Sequence, residues 1–494
     1  DSIEIIPAPR GFLYGPINNP VSVNFISNDF ISTAPYTRVK YYEGPDGEAM
    51  IDGQVNTLIF SKLNGFFELT NRKTDETFTN NDFSIWQVKT GLKYFLSKSI
   101  NILGSYSFNN YETGLNGGID MRSISGITSV DDIRIFSPLE APVLYAERRA
   151  ASKRHFYNLK TLAAFGNYEG DINLYYQFAS DKITDTSAAF YNGKIKSYGT
   201  AIKNKLKFSP FNFELFGAFE RNETEMLSLI SLAENKNNFS AGTILSADFF
   251  HNSLVPSIFY KYSNNGLAGG NLNLSGYGFD IRYGRGYYNI YLGYSKSEII
   301  TRVQYDSSGN ESIIPVNNFE VSLRFNSDNL DLYISYFMRD KFYLPESNPY
   351  NIFSGNHSLL KSILALKINY ILWKILIELN TFYVDETSNG LPEFKFSGGI
   401  FYKDILFDSN LNLKAGFSIR YTSVQSYLSS PFLPLIQSEY SSYPIDFSIT
   451  GEIQERAIIY FIWENLLDEN YFITPFYPMP ERNIRFGVAW ELFN

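Results

Sequence analysis

The sequence is most restrictive in what it lacks. It contains no cysteine, which excludes disulfide staples and thiolate metal sites and suits export through an oxidising compartment. Three histidines leave little imidazole for catalysis or metal binding: His155, His251 and His357. No stretch offers the roughly 18 uninterrupted apolar residues that a spanning helix needs. The nearest, Ser362–Leu379, is broken by Lys367, Lys374 and Glu378. Charge is sparse, at 19% of residues, and the net charge of −9 lacks the basic excess of a nucleic-acid-binding chain. HExxH, P-loop and dinucleotide fingerprints are all absent. Asp1-Ser2-Ile3-Glu4 has neither a basic n-region nor an apolar h-region, so the expectation is a removed signal peptide or a start inside a longer precursor.

Aromatic residues, by contrast, are abundant: 37 tyrosines and 43 phenylalanines lift the aromatic share to 17%. Mean hydropathy is nevertheless only −0.17. Strands with one face in lipid and one in water combine these two properties, because only every second residue meets hydrocarbon. Period-2 alternation recurs from Tyr36 to the C-terminus. Trp86, Val88, Thr90, Leu92 and Tyr94 alternate with Gln87, Lys89, Gly91 and Lys93; Leu330, Leu332, Ile334, Tyr336 and Met338 alternate with Asp331, Tyr333 and Ser335. Such segments predict about 22 strands, opening with Tyr36–Glu43, Ile51–Lys62 and Gly65–Arg72 and closing with Ser438–Ile453, Arg456–Trp463 and Glu481–Phe493.

The connections carry a second signal. Tight links are expected at Leu63-Asn64-Gly65, Ser97-Lys98, Ser209-Pro210, His251-Asn252, Gly284-Arg285-Gly286, Asp328-Asn329, Trp373-Lys374, Lys403-Asp404 and Gln454-Glu455. Between them fall long polar segments such as Glu112–Arg154, Thr184–Ile195, Glu298–Pro315, Arg339–Asn356, Thr422–Gln437 and Leu467–Pro480. Short and long links in alternation are the pattern of periplasmic turns and extracellular loops. The predicted fold is therefore all-β: a transmembrane antiparallel β-barrel of about 22 strands in a Gram-negative outer membrane. Trp86 and Trp463 fall near the loop end and Trp373 and Trp490 near the turn end, as two interfacial girdles require.

Two segments then resemble TonB-dependent outer-membrane receptors. Ile3–Ser27, IEIIPAPRGFLYGPINNPVSVNFIS, is similar to the end of that family's plug domain, commonly IEVxRGPxSxLYGxxAxGGVINIIT. Ile3, Glu4, Pro9, Leu13, Tyr14, Gly15 and Asn24 match, while Pro7-Ala8 and Pro20-Val21 replace the usual Arg-Gly and Gly-Gly. Near the other end, Asn465-Leu466-Leu467-Asp468 with Tyr471 resembles the NLFDxxY stretch, and Pro478-Met479-Pro480-Glu481-Arg482 the lead into the final strand. The resemblance implies a plug-like segment at residues 1–33 and a barrel at residues 34–494. It also implies energy-dependent uptake of a small solute, with the TonB complex as partner if the full plug precedes this segment.

Candidate ligand contacts are Arg10, Asn18 and Asn19 in the plug-like segment and Tyr145, Phe342, Tyr343 and Phe353 as stacking aromatics in loops. Lys203, Lys205 and Lys207 share one strand face and are expected to line the lumen. Arg148, Arg149, Lys153 and Arg154 offer contacts to lipopolysaccharide phosphates or a ligand, although a solvated loop base is the default account of them. Outer-membrane lipid and lipopolysaccharide are the expected surroundings. Neither cofactor nor metal nor catalysis is expected: no nucleophile motif accompanies any histidine, and Asp306–Asn310 lacks the acid that completes a calcium loop. Alternatives are a passive porin, for which some thirty residues ahead of the barrel would leave the lumen open unless loops fold inward, and an adhesive or structural barrel.

Overall fold

A computed structural model describes residues 2–15, 17, 22–26, 31, 34–127, 132–138, 140–186, 188–227, 231–267, 270–301, 312–342, 359–385, 392–426, 439–474 and 476–492. From Tyr36 onward the chain is one closed antiparallel barrel. Glu439–Ser442 and Ile445–Ile453 are two pieces of a single strand, since both pair with Leu411–Ser426, and the barrel therefore has 22 strands. The last strand, Asn483–Leu492, closes it by pairing with the first, Tyr36–Glu43, with Trp490 opposite Val39. No helix is long and apolar enough to cross a membrane. The spanning is done by strands, whose backbone groups are all satisfied between neighbours.

Alternation along each strand sorts side chains to two surfaces. Ile258, Tyr260, Tyr277, Phe279, Ile281, Val321 and Leu323 are exposed on the outside. Their neighbours Ser257, Lys261, Asp280 and Glu320 are buried inside. In a soluble protein so much exposed apolar surface would drive aggregation; on a barrel it is the lipid-facing band. Phe208 and Tyr198 stand at its two edges, ten residues apart on the strand Ala188–Phe208. That is about 33 Å of strand, or about 25 Å of height at a tilt near 40°. All four tryptophans lie on the exposed outer surface at strand ends, with Trp373 at 80% in a tight turn. The chain is an outer-membrane β-barrel.

Several links differ from the sequence reading. Lys403 and Asp404 are inside the strand Phe394–Leu406, and the turn comes later, at residues 407–410, where Phe407, Asp408 and Ser409 have positive φ. The polar composition there belongs to a strand end at the turn side of the barrel, where Asp404 accepts from Lys374 and Tyr402, rather than to a turn. The first tight link is at residues 61–62, with Leu63 already in strand, and a turn at Gly166 was not anticipated. Thr184–Ile195 is not a long loop: Tyr168–Asp185 and Ala188–Phe208 pair up to Asp185 and Ala188. Polar residues continue the sheet beyond the membrane there, where both faces are wet, and alternation of hydrophobicity no longer marks the strand.

Residues 2–26 are a separate unit. Ser2–Ile6 pairs only with Ser22–Ile26, and a single helical turn, Ala8–Gly11, follows the first of these strands. Its backbone and side chains reach the inward-facing residues of the barrel wall between Phe216 and Glu320, so the unit lies in the lumen.

Candidate functional site

The lumen contact is built from one hairpin segment and six neighbouring barrel strands, from the one that carries Phe216 to the one that carries Glu320. Pro9 opens the helical turn that starts at Ala8, and the turn presents Arg10 sideways. Arg10 meets Asp280 through both guanidinium arms, Nη2 to Oδ1 at 2.8 Å and Nε to Oδ2. The Asp280 side chain has no solvent exposure, and Tyr291 donates to its Oδ2 at 3.3 Å. Burial alone would lower the Arg10 pKa, but the fork-on-carboxylate pairing outweighs it and the guanidinium sits above its ordinary value. Lys261 donates to the carbonyls of Phe12, at 3.1 Å, and Gly15, while Glu320 accepts from the backbone N–H of Ala8 at 2.8 Å. Asp280, Lys261 and Glu320 thus each answer a backbone or side-chain group of the segment.

Apolar packing completes the dock. Phe12, Leu13 and Ile17 are almost fully buried with Ile244, Phe259 and Leu274, and Phe12 packs on Phe259 at 5.9 Å between centroids. Tyr14 stacks on Phe216, and burial raises its phenol pKa. Gly276 makes the close approach possible, because a Cβ there would come within 2.6 Å of the Phe12 ring.

A second site lies at the loop end. The loop between Ile100–Gly114 and Arg149–Phe165 folds on itself and on the segment before the last strand. Ile119, Met121, Ile135 and Phe136 are buried with Phe78, Tyr471 and Phe472, and Ile119 N–H donates to the Phe476 carbonyl at 2.9 Å. Beside this cluster is a cavity of about 440 Å³ lined by Phe78, Leu115, Tyr145, Arg148, Phe476 and Tyr477. Arg148 lies over the Tyr145 ring at 3.4 Å and is held there by Asp185, Nη2 to Oδ2 at 2.7 Å. Asn80 fixes the backbone beneath, donating to the carbonyls of Tyr145 and Arg148. With the Arg148 charge already matched, the cavity offers rigid aromatic faces and little free charge, which suits a planar or ring-bearing solute.

The sequence candidates divide accordingly. Arg10 is in the lumen dock and Tyr145 in the loop cavity. Asn18, Asn19, Tyr343 and Phe353, and the side chain of Phe342 at the end of its strand, lie outside the described residues, as do His357 and Asp306–Asn310. Lys203, Lys205 and Lys207 alternate with outward Ile202, Leu206 and Phe208 and so point inward. Lys203 pairs with Glu214 at 3.1 Å and Lys207 with Glu169. Lys205 joins Arg10, Arg282, Arg324 and Glu214 around a lumen cavity of about 740 Å³ on the turn side of the dock. Asp280, Lys261 and Glu320 were not singled out from sequence; their signal is one charge between two apolar neighbours, which many lumen positions share. Among the histidines, His251 is in a turn, whereas His155 lies within a strand on the outer face, its Nδ1 3.0 Å from the Tyr106 hydroxyl.

Solved structures decide the fold. FpvA of P. aeruginosa, solved bound to heterologous pyoverdines, superposes with a TM-score of 0.77 at 12% identity, covering 99% of this chain and 76% of that one. BauA, the ferric preacinetobactin receptor of Acinetobacter baumannii, gives 0.75 at 10%, covering 99% and 85%. The copper transporter OprC gives 0.77 at 11%, with the same coverage. The fold is that of the TonB-dependent receptors. The resemblance read from the two terminal motifs therefore holds for the architecture. Residues 289–494 also match a family model described as "Putative porin". No curated protein matches the chain.

Proposed function

We propose that this barrel is an outer-membrane receptor that takes up a solute actively, in the manner of the TonB-dependent receptors, with residues 1–33 as the end of a plug and residues 34–494 as the conduit. One observation carries the reading: the segment Ala8–Ile17 is held in the lumen by a buried ion pair, by Lys261 on its carbonyls and by a packed aromatic cluster. A passive pore has no use for such a dock. The hairpin also turns Ile3, Ile5, Val23 and Phe25 outward, all exposed on one face, and a two-stranded sheet is marginal alone. A larger lumen domain would cover that face. The loop cavity at Tyr145 is the capture site in this reading, and the ferric-siderophore and copper proteins of the same fold make a scarce metal or its chelate the first solutes to try.

Uptake of a panel of labelled chelates by cells carrying the protein tests the proposal. Uptake that stops when the proton gradient is dissipated supports it; uptake that continues points to a passive route. The porin reading has its own support in the family match over residues 289–494. Planar-bilayer recordings separate the two, since a large steady conductance of the native protein belongs to a porin. An upstream coding region with a plug and TonB box favours the receptor.

A further inference from the structure

The basic cluster read from sequence, Arg148 to Arg154, does not act as one group. Arg148 is committed to Asp185 and Arg149 to Asp82, at 2.7 Å each. Lys153 alternates with outward His155 and Tyr157 and so projects from the outer wall, whereas Arg154 is on the opposite face. Register then brings other lysines to it. Lys153 and Lys194 both stand opposite Ser180, on either side of it. Lys196 stands opposite Phe178 one level nearer the membrane, and Lys182 is opposite Ala151 one level farther. All four lysines are exposed, and among the described residues none has an ion-pair partner. Neighbouring strands are about 4.8 Å apart, which puts the Lys153 and Lys194 backbones about 10 Å from each other.

The height of this patch is marked by the row beneath it. Tyr106, Tyr157, Tyr176 and Tyr198 stand side by side across four strands, with ring centroids 4.9 Å apart for the first pair and 6.1 Å for the second. This is the loop-side edge of the apolar band, where aromatic rings meet lipid headgroups. The lysines therefore stand at headgroup level, with stems long enough to reach along the wall. Acidic residues bound the patch on both sides: Glu112 stands opposite Ala151 on one, and on the other Glu223, opposite Lys196, is taken up by Arg221 at 3.4 Å while Glu225 lies opposite Lys194.

We propose that Lys153, Lys182, Lys194 and Lys196 form a binding site for a phosphate-bearing lipid headgroup of the outer leaflet, its acyl chains lying down the tyrosine row. The inference rests on the barrel's place in an outer membrane and is independent of what the lumen carries. A lysine near an anionic lipid surface contributes a factor of about five in binding, and the effect weakens with salt.

The test is lipid retention. The full chain in detergent is loaded with bisphosphorylated lipid A or with the same lipid stripped of phosphate, and retained lipid is measured by native mass spectrometry. Wild type should keep the phosphorylated lipid, and the variant Lys153→Ala/Lys182→Ala/Lys194→Ala/Lys196→Ala should lose it by roughly a hundredfold or more. Lys73→Ala, an exposed outward lysine on another part of the barrel, should retain it as wild type does. Heat-modifiable gel mobility reports whether each barrel has formed. If the quadruple variant does not fold, Lys153→Gln/Lys194→Gln carries the test, with a loss of roughly tenfold or more expected. Equal retention by wild type and the folded variant overturns the proposal. So does equal retention of the dephosphorylated lipid, or displacement by inorganic phosphate at concentrations comparable to the lipid's.

Discussion

At the scale of single residues, the lumen dock depends on charges removed from water. Asp280 is 1% exposed and, among the described residues, accepts hydrogen bonds from Arg10 and Tyr291 alone. Removing one partner of such a pair leaves the other buried and uncompensated, at a cost of about 3–5 kcal/mol. Arg10→Ala should therefore release the segment, whereas Arg10→Ala combined with Asp280→Leu should release it less. A single cysteine placed at Ser22, in a chain without native cysteine, reports this as faster maleimide labelling. An unchanged labelling rate in Arg10→Ala would show that the ion pair does not hold the dock. Lys261→Met tests the other anchor, since it strips the donor from two carbonyls at about 1–3 kcal/mol apiece. Arg10 is singled out in the sequence as a candidate ligand contact because it stands in the plug-like segment, and its ion pair is a finding of the structure. Asp280 and Lys261 were not, because alternation shows that they face the lumen without showing which of the many lumen charges Arg10 will meet.

At the scale of elements, the barrel seam and the folded loops are the features to test. Glu48, between the first two strands, reaches across the closing strand pair and accepts from Tyr42, Arg72 and Arg485, while Arg485 also holds Glu464. Burial would raise the Glu48 pKa, but these donors together hold it below the ordinary carboxylate value. A depressed folded pKa means that the clasp is fully stabilising above about pH 4.3 and is lost as the pH falls through the lower folded value. The difference in urea midpoint between wild type and Glu48→Gln should be constant near neutrality and shrink on acidification below that range. A difference that grows in acid would contradict this assignment. In the loop cluster, Phe136→Ala should cost about 3–5 kcal/mol of local stability, seen as faster amide exchange in residues 115–127 and 140–148 with the barrel strands unaffected. The element limits show where periodicity works. The first strand, Tyr36–Glu43, coincides with the reading at both ends, because lipid enforces alternation there. The extensions of Tyr168–Asp185 and Ala188–Phe208 beyond the membrane escaped it, because water on both faces removes the constraint.

At the scale of the whole molecule, the outer surface and the lumen make different demands. Lipid requires only an apolar face, a closed sheet and girdles at two heights, and each leaves a local mark: alternation, short against long links, and tryptophans at strand ends. Composition and pattern were therefore sufficient for the barrel and its strand number. The lumen is a meeting of segments far apart in the chain, Arg10 with Asp280 and Tyr14 with Phe216, and no local pattern encodes which pairs meet. The same holds outside, where Lys153 and Lys194 become neighbours only through strand register across Ser180. The sequence by itself determined a membrane barrel with a plug-like N-terminal motif, because hydrocarbon imposes its constraint residue by residue. Only the tertiary structure decided where that motif docks and which charges stand together, because those depend on register summed around the closed sheet.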